Sequence, residues 1–215
     1  MSNGHWTVTP EWYQGTAFIL GCGPSLRNAD VSSLRSVGYV IAVNDSYLLA
    51  PWADVLYFCD KKWWTANQDT VMSTFTGRWI VTLDECYHGV KTLRNMGVEG
   101  LETDPGGLRH GSNSGYQAIG LAYHLGVSQI VLLGFDMRCD GDRVHWRDRA
   151  KDNADAQARV MSTVMLPKFN SLVAPLRDAG VQVWNCTPDS ALRCWPHRLL
   201  ADVVRELQSS LSSAA

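Results

Sequence analysis

The sequence predicts an α/β fold: a Rossmann-like, doubly wound, mostly parallel sheet with helices on both faces. Three observations carry this. Short apolar runs rich in β-branched and aromatic residues recur along the chain, near-continuous rather than alternating, as strands buried on both faces read. Helix-like segments lie between several of the runs, and strand-helix-strand alternation implies parallel strands joined by right-handed crossovers. A polar turn follows each run.

Taken in order, Thr16 to Leu20 is the first strand, closed by Gly21-Cys-Gly-Pro-Ser25, and Tyr39 to Val43 is the second, closed by Asn44-Asp45. Val55 to Phe58 precedes Asp60-Lys-Lys62, and Trp79 to Leu83 precedes Asp84-Glu85. The stretch from Tyr87 to Gly111, with Gly97, Gly100 and Asp104-Pro-Gly-Gly107, reads as a connection or flap. His110-Gly-Ser-Asn-Ser-Gly115 then opens a helix from near Tyr116 to Leu125, with Ala118, Ile119, Ala122 and Leu125 near helical spacing and Gly126 as its stop. Ser112, Asn113 or Ser114 is its N-cap. Gln129 to Leu133 is a strand ending in Gly134-Phe-Asp136. Ala154 to Ala179 reads as one or two helices with Pro167 and Pro175 as breaks or starts, before a last strand, Val181 to Trp184, and Asn185-Cys-Thr187. Residues 1–15 are expected as an N-terminal extension, 16–206 as one catalytic domain and 207–215 as a frayed tail.

Composition sets limits. Of 215 residues, 46% are hydrophobic and 19% charged, enough for a full core and too little charge for a disordered polymer. A formal net charge of −2 gives no global drive towards nucleic acid or anionic membrane, although a nucleic-acid acceptor stays open. Runs such as Val37 to Val43 fall far short of the roughly 20 residues of a membrane span. The opening Met1 to Trp6 has no basic stretch leading into an apolar one, so a cytoplasmic location is expected. Cys22, Cys59, Cys86, Cys139, Cys186 and Cys194 are scattered without zinc-ligand spacing and read as reduced thiols.

In an open parallel sheet the carboxyl ends of the strands share one edge, and ligands bind in the crevice there. Six polar clusters should therefore converge. Gly21, Cys22 and Gly23 carry little bulk, so their backbone N–H groups could approach a phosphate, and Pro24 with Ser25 could begin a helix whose N-terminus points into the crevice. The turn is neither G-x-G-x-x-G nor a Walker loop. Asn113, Ser114 and Gly115 offer a second anion or ribose contact. His145, in the polar loop Cys139 to Asp148, is the best base: an imidazole can take a proton from a hydroxyl near neutral pH. Arg138, Arg143, Arg147, Lys61 and Lys62 are the cations near the rim, and Trp63, Trp64 and Trp146 could stack on a base or sugar. His5, His88, His124 and His197 read as solvated bystanders.

The order of Gly21-Cys-Gly-Pro-Ser-Leu26, Asn44, Ser114-Gly115, Ile130-Val-Leu-Leu-Gly-Phe-Asp136 and a downstream His resembles the bacterial sialyltransferases of glycosyltransferase family 42. It is also similar to the 6-hydroxymethylpterin diphosphokinase-like family. The first resemblance implies that Gly21, Gly23, Asn44 and Ser114 hold a cytidine nucleotide sugar and that His145 is the base. Cys22 stands where many relatives have Asn, and the tyrosines that help the phosphate leave have no clear match, Arg138 following the Gly-Phe-Asp-Met stretch instead. The reading is a transferase with Asp136 and Arg138 beside His145 in the catalytic set and Asp60 beside the nucleotide. It requires no metal, its partners are a nucleotide sugar and an acceptor hydroxyl, and a homo-oligomer is compatible with it. The alternatives are a diphosphokinase acting on a pterin-like alcohol, in which Asp60 and Asp136 hold Mg²⁺, and a nucleotide-binding module without catalysis.

Overall fold

The computed structural model describes residues 5–147 and 154–214. Asp148 and the outermost parts of the N-terminal extension and the tail lie outside the described residues. All eight strands are parallel and form one sheet in the order β6-β5-β4-β3-β2-β1-β7-β8. They are β1 (Thr16–Leu20), β2 (Tyr39–Val43), β3 (Val55–Tyr57), β4 (Trp79–Leu83), β5 (Lys91–Asn95), β6 (Gly107–Leu108), β7 (Gln129–Leu133) and β8 (Gln182–Asn185). The expected Rossmann-like architecture is the one observed.

Alternate residues of each central strand feed opposite layers, because successive side chains leave a strand on opposite faces. Ala17, Ile19, Ile41 and Leu132 enter one core with α2 (Ser114–His124) and α4 (Leu166–Asp178). Phe18, Leu20, Ala42 and Leu133 enter the other with α1 (Lys61–Thr74) and α5 (Leu200–Ala214). The chain leaves β1 towards β2 on one side, and β7 returns on the other side of β1. The strand order reverses between them, which opens a crevice above their carboxyl ends.

Three expectations need correction: the 87–111 stretch, the tail and Pro175. The Tyr87 to Gly111 stretch supplies β5 and β6, and Leu93 and Leu108 are buried in the first core. Its strands are short and β5 mixes Lys91, Arg94 and Asn95 with Thr92 and Leu93, so no apolar run announces them. The tail does not fray within the described residues: α5 runs to Ala214, with Val203 and Val204 buried. Residues 5–15 of the N-terminal extension are docked on the domain, Trp6 N–H donating to Thr92 O at 2.7 Å and Trp12 stacking on Tyr39 with centroids 4.5 Å apart. Ala154 (α3, Ala154–Val160) to Asp178 is helical throughout, with one π-turn at Met161–Met165; Pro167 starts α4 as expected, whereas Pro175 lies inside it without ending it. Among the described residues no helix is long and apolar enough to cross a membrane.

Candidate functional site

A cleft of about 640 Å³ opens above the switch between β1 and β7. Its floor is built where the turn after β1 meets the turn after β7. Gly21 N–H donates to Leu133 O and Gly23 N–H to Gly134 O, both at 2.8 Å. Ser25 N–H donates to Asp136 Oδ1 at 3.0 Å and Ser25 Oγ to Asp136 Oδ2 at 2.8 Å. The approach is so close that a Cβ on Gly23 would lie 1.9 Å from Asp136 Oδ2. The glycines therefore answer first to packing between two turns. Burial pushes the Asp136 carboxyl above its ordinary range, and the two bonds from Ser25 oppose that rise.

This geometry corrects the phosphate-cradle expectation. The N–H groups of Gly21, Gly23 and Ser25 are consumed inside the floor, and Pro24 opens a five-residue 3₁₀ turn, Pro24–Asn28, in place of an α-helix. Gly21, Cys22 and Gly23 line the cleft; Pro24, Ser25 and Asp136 do not. Asp136 is placed as the tie that holds the turn, away from the cleft wall that carries His145.

His145 does line the cleft. Its loop folds back by mutual backbone bonds between Asp140 and Arg143, 2.9 and 3.0 Å long. The next residue anchors it to the floor: Trp146 N–H donates to Cys22 O at 3.0 Å, and Arg27 Nε and Nη2 donate to Trp146 O at 3.3 and 3.1 Å. Arg147 Nη1 reaches Asp45 Oδ2 at 3.4 Å, so this expected rim cation serves as a second anchor. Lys61 is not part of the lining but pairs with Glu85, which is, and Arg143 is also absent from the lining. Among the described lining residues, Arg138 is the one Lys or Arg; its Nε donates to Asp189 O at 2.8 Å.

The opposite wall comes from α1, α2 and the turn after β2. Asp60 lines the cleft and caps α1, its Oδ1 accepting from Lys62 N–H at 2.8 Å. Asn113 caps α2, accepting from Gly115 and Tyr116 N–H at 2.7 and 3.2 Å, while Ser114 Oγ lies 3.2 Å from Cys59 Sγ. Burial raises the Cys59 thiol. Asn44 holds φ at +48°, and its buried Oδ1 has no partner among the described residues. An unpaired buried acceptor is costly to a folded chain, so its position on a ligand cleft carries meaning.

Asp60 and Asp136, the pair a Mg-dependent kinase would need together, are thus separately employed, and only Asp60 reaches the cleft. Among the described residues no group of three or more His, Cys, Asp or Glu is arranged to hold a metal. Trp64 is core, stacked on Phe58 at 4.5 Å; Trp63 is half-buried beside the cleft. His124 is buried rather than solvated, its Nε2 3.1 Å from Gly107 O.

Sequence reasoning overlooked His110, which lines the cleft. Its Nδ1 accepts from Ser112 N–H at 3.0 Å, which fixes the neutral tautomer with the proton on Nε2. His110 therefore presents a donor to the cleft that it shares with His145. Met161 and Met165 of the π-turn also line the cleft, a helix irregularity frequent at functional sites. So do Asn44, Asp84, Ser112 and Met137, all non-glycine residues at positive φ. Such backbone persists where the surroundings over-determine it, often at binding sites, and no side-chain pattern foretells it.

Fold and cleft together define a Rossmann-like α/β protein with a ligand site at its topological switch point. No family model matches the chain, and no curated protein matches it. Solved structures of the sialyltransferase CstII do share its fold. The enzyme from Campylobacter jejuni bound to the substrate analogue cytidine-5′-monophosphate is 13% identical, covers 86% of this chain and 85% of its own, and has a TM-score of 0.54. CstII with a trisaccharide acceptor and CMP is 14% identical, with 85% of each chain covered and a TM-score of 0.52. A point variant of CstII with CMP gives 14%, 84% of each chain and 0.52.

Proposed function

We propose that this chain is a glycosyltransferase that moves a sugar from a cytidine nucleotide sugar to an acceptor hydroxyl. The observation that carries the reading is the meeting of Asn44, Ser114, Arg138 and His145 on one cleft at the switch point, in a fold shared with CMP-bound sialyltransferases. Asn44 Oδ1 would accept from an N–H or O–H of the nucleotide, such as the cytosine amino group, and so lose its unpaired state. Arg138 and the Nε2–H of His110 would face the phosphate. They take the place of the leaving-group tyrosines that the family resemblance implies.

In the transfer step the acceptor oxygen bonds to the anomeric carbon and its proton passes to His145. The bond from that carbon to the phosphate oxygen breaks, and CMP leaves with the electron pair. Donors preorganised around the departing phosphate contribute about 3 kcal/mol each in sites of this kind. No step calls for a metal, so EDTA should leave turnover intact. The test is a thermal-shift panel of CMP, CDP, UDP, GDP and ATP with and without Mg²⁺, because a specific ligand raises the melting point by mass action. CMP should give the largest shift, unaffected by Mg²⁺ and abolished in Asn44→Ala. A shift confined to Mg·ATP would overturn the reading in favour of the kinase.

A further inference from the structure

A buried polar group costs stability unless it is bonded, so the positions between a sheet and its helices are ordinarily apolar. Two residues between β3 and α2 break that pattern. Tyr57 on β3 is fully buried and Gln117 on α2 is 2% exposed. They are bonded to each other, Tyr57 Oη donating to Gln117 Oε1 at 2.7 Å. The amide nitrogen serves the loop before α2, Gln117 Nε2 donating to His110 O at 2.6 Å. We infer that Gln117, set by Tyr57, is a positioning residue that holds His110 where its Nε2–H meets the leaving phosphate. The inference rests on the glycosyl-transfer reading, which puts that phosphate beside His110.

The direction of each bond is fixed. Burial pushes the Tyr57 hydroxyl well above its ordinary range, so it stays protonated and donates. That bond settles which end of the Gln117 amide accepts, and it leaves the NH₂ end for His110. Leucine is close to glutamine in size and would leave no polar atom to satisfy, so packing alone does not call for an amide at this position. His110 is gripped on its other groups as well. Its N–H donates to Gly97 O at 2.9 Å, and Ser112 N–H donates to its Nδ1 at 3.0 Å. Ser112 is held in turn, Lys168 Nζ from α4 donating to its Oγ at 2.7 Å. Backbone and ring are thus fixed together. A donor aimed in advance at the site of developing charge needs no reorganisation as the bond breaks, which is where its effect on rate arises.

In the full chain, Gln117→Leu should lower kcat for hydrolysis of CMP-sialic acid about tenfold with the donor KM within about twofold, the mark of a contact made at the transition state. Gln117 also reaches the Cys59 thiol, and a double-mutant cycle separates the two partners: in a His110→Ala background, Gln117→Leu should lower kcat no further. Tyr57→Phe keeps the ring and removes only the hydroxyl; it should lower kcat about threefold, and it tests the tie even where Gln117→Leu does not fold. Nitrogen NMR of the histidines reads the tie without turnover. In the wild type the His110 ring should carry its proton on Nε2, whereas in either variant its two nitrogen shifts draw together, the sign of mixed tautomers. Unmoved nitrogen shifts in both variants overturn the inference. So does a kcat loss that persists in the His110→Ala background, or a rise in donor KM at unchanged kcat. A wild-type protein that neither binds CMP nor hydrolyses CMP-sialic acid, with nitrogen shifts that still move in the variants, instead removes the glycosyl-transfer reading, and the role at the phosphate falls with it.

Discussion

The floor of the cleft and its His145 wall are built on different principles. In the floor, three backbone N–H groups and the Ser25 hydroxyl are bonded to the β7 turn, and Gly23 leaves no room even for a methyl group. In the wall, a loop after β7 is pinned by Trp146 to Cys22, by Arg27 and by the Arg147–Asp45 pair. The first region is a frame whose Gly21, Gly23 and Ser25 donors are spent on holding it together. The second carries His145, the base of the proposed transfer, on a few anchors that can each be removed. A glycine-rich turn at a strand end thus need not bind phosphate; here it lets two turns close up.

The contrast should appear as a split between activity and stability. The largest effect is expected at His145→Ala, where loss of a positioned base lowers transfer by about 10²- to 10⁴-fold with CMP affinity and melting temperature unchanged. A variant that loses CMP binding in equal measure would move His145 out of the base role. Asp136→Ala should act the other way. Stranding the Ser25 N–H and hydroxyl costs about 2 kcal/mol of stability, measurable by urea unfolding, and activity falls only as the folded fraction does.

Arg27→Ala lies between the two regions, because the guanidinium donates to Trp146 O next to His145. Turnover should fall by about tenfold while the donor KM and the urea midpoint stay put, the mark of a positioning residue. A stability loss without a change in kcat would make the contact merely structural.

The smallest effect concerns the far edge of the sheet. Burial lowers the pKa of His124 below its ordinary 6.5, the Gly107 carbonyl partly opposing this. A depressed folded-state value means that stability from this group is full above 6.5 and is lost as pH falls towards and through the lowered value. The melting temperature should therefore drop on acidification from pH 7 to pH 5, and less steeply in His124→Gln. Identical slopes would place the acid sensitivity elsewhere.

Much of the frame was legible because its causes are local. The runs at β1, β2, β4 and β7 are almost wholly apolar, so strand type and bounds follow from composition. A cap among Ser112, Asn113 and Ser114 follows from the polar turn before the helix, and Asn113 takes that place. β5 has too little apolar material to stand out, whereas α5 did carry a helical pattern in Leu200, Val203, Val204 and Leu207 that went unread. The separation of Asp60 and Asp136 was illegible for a different reason: sequence shows that both follow strands, but not that Asp60 accepts from Lys62 N–H and Asp136 from Ser25 N–H.

By itself, then, the sequence determined the parallel α/β sheet and the set of polar strand ends gathered on one edge, because burial periodicity and turn chemistry act within a few residues of each other. Only the tertiary structure decided which of those ends still had a hydrogen-bonding group to offer. Gly23 and Ser25 meet Gly134 and Asp136 across more than a hundred residues, and whether a donor is consumed or left open depends on that distant partner. The tautomer of His110, the unpaired Asn44 and the bond from Tyr57 to Gln117 are settled in the same way.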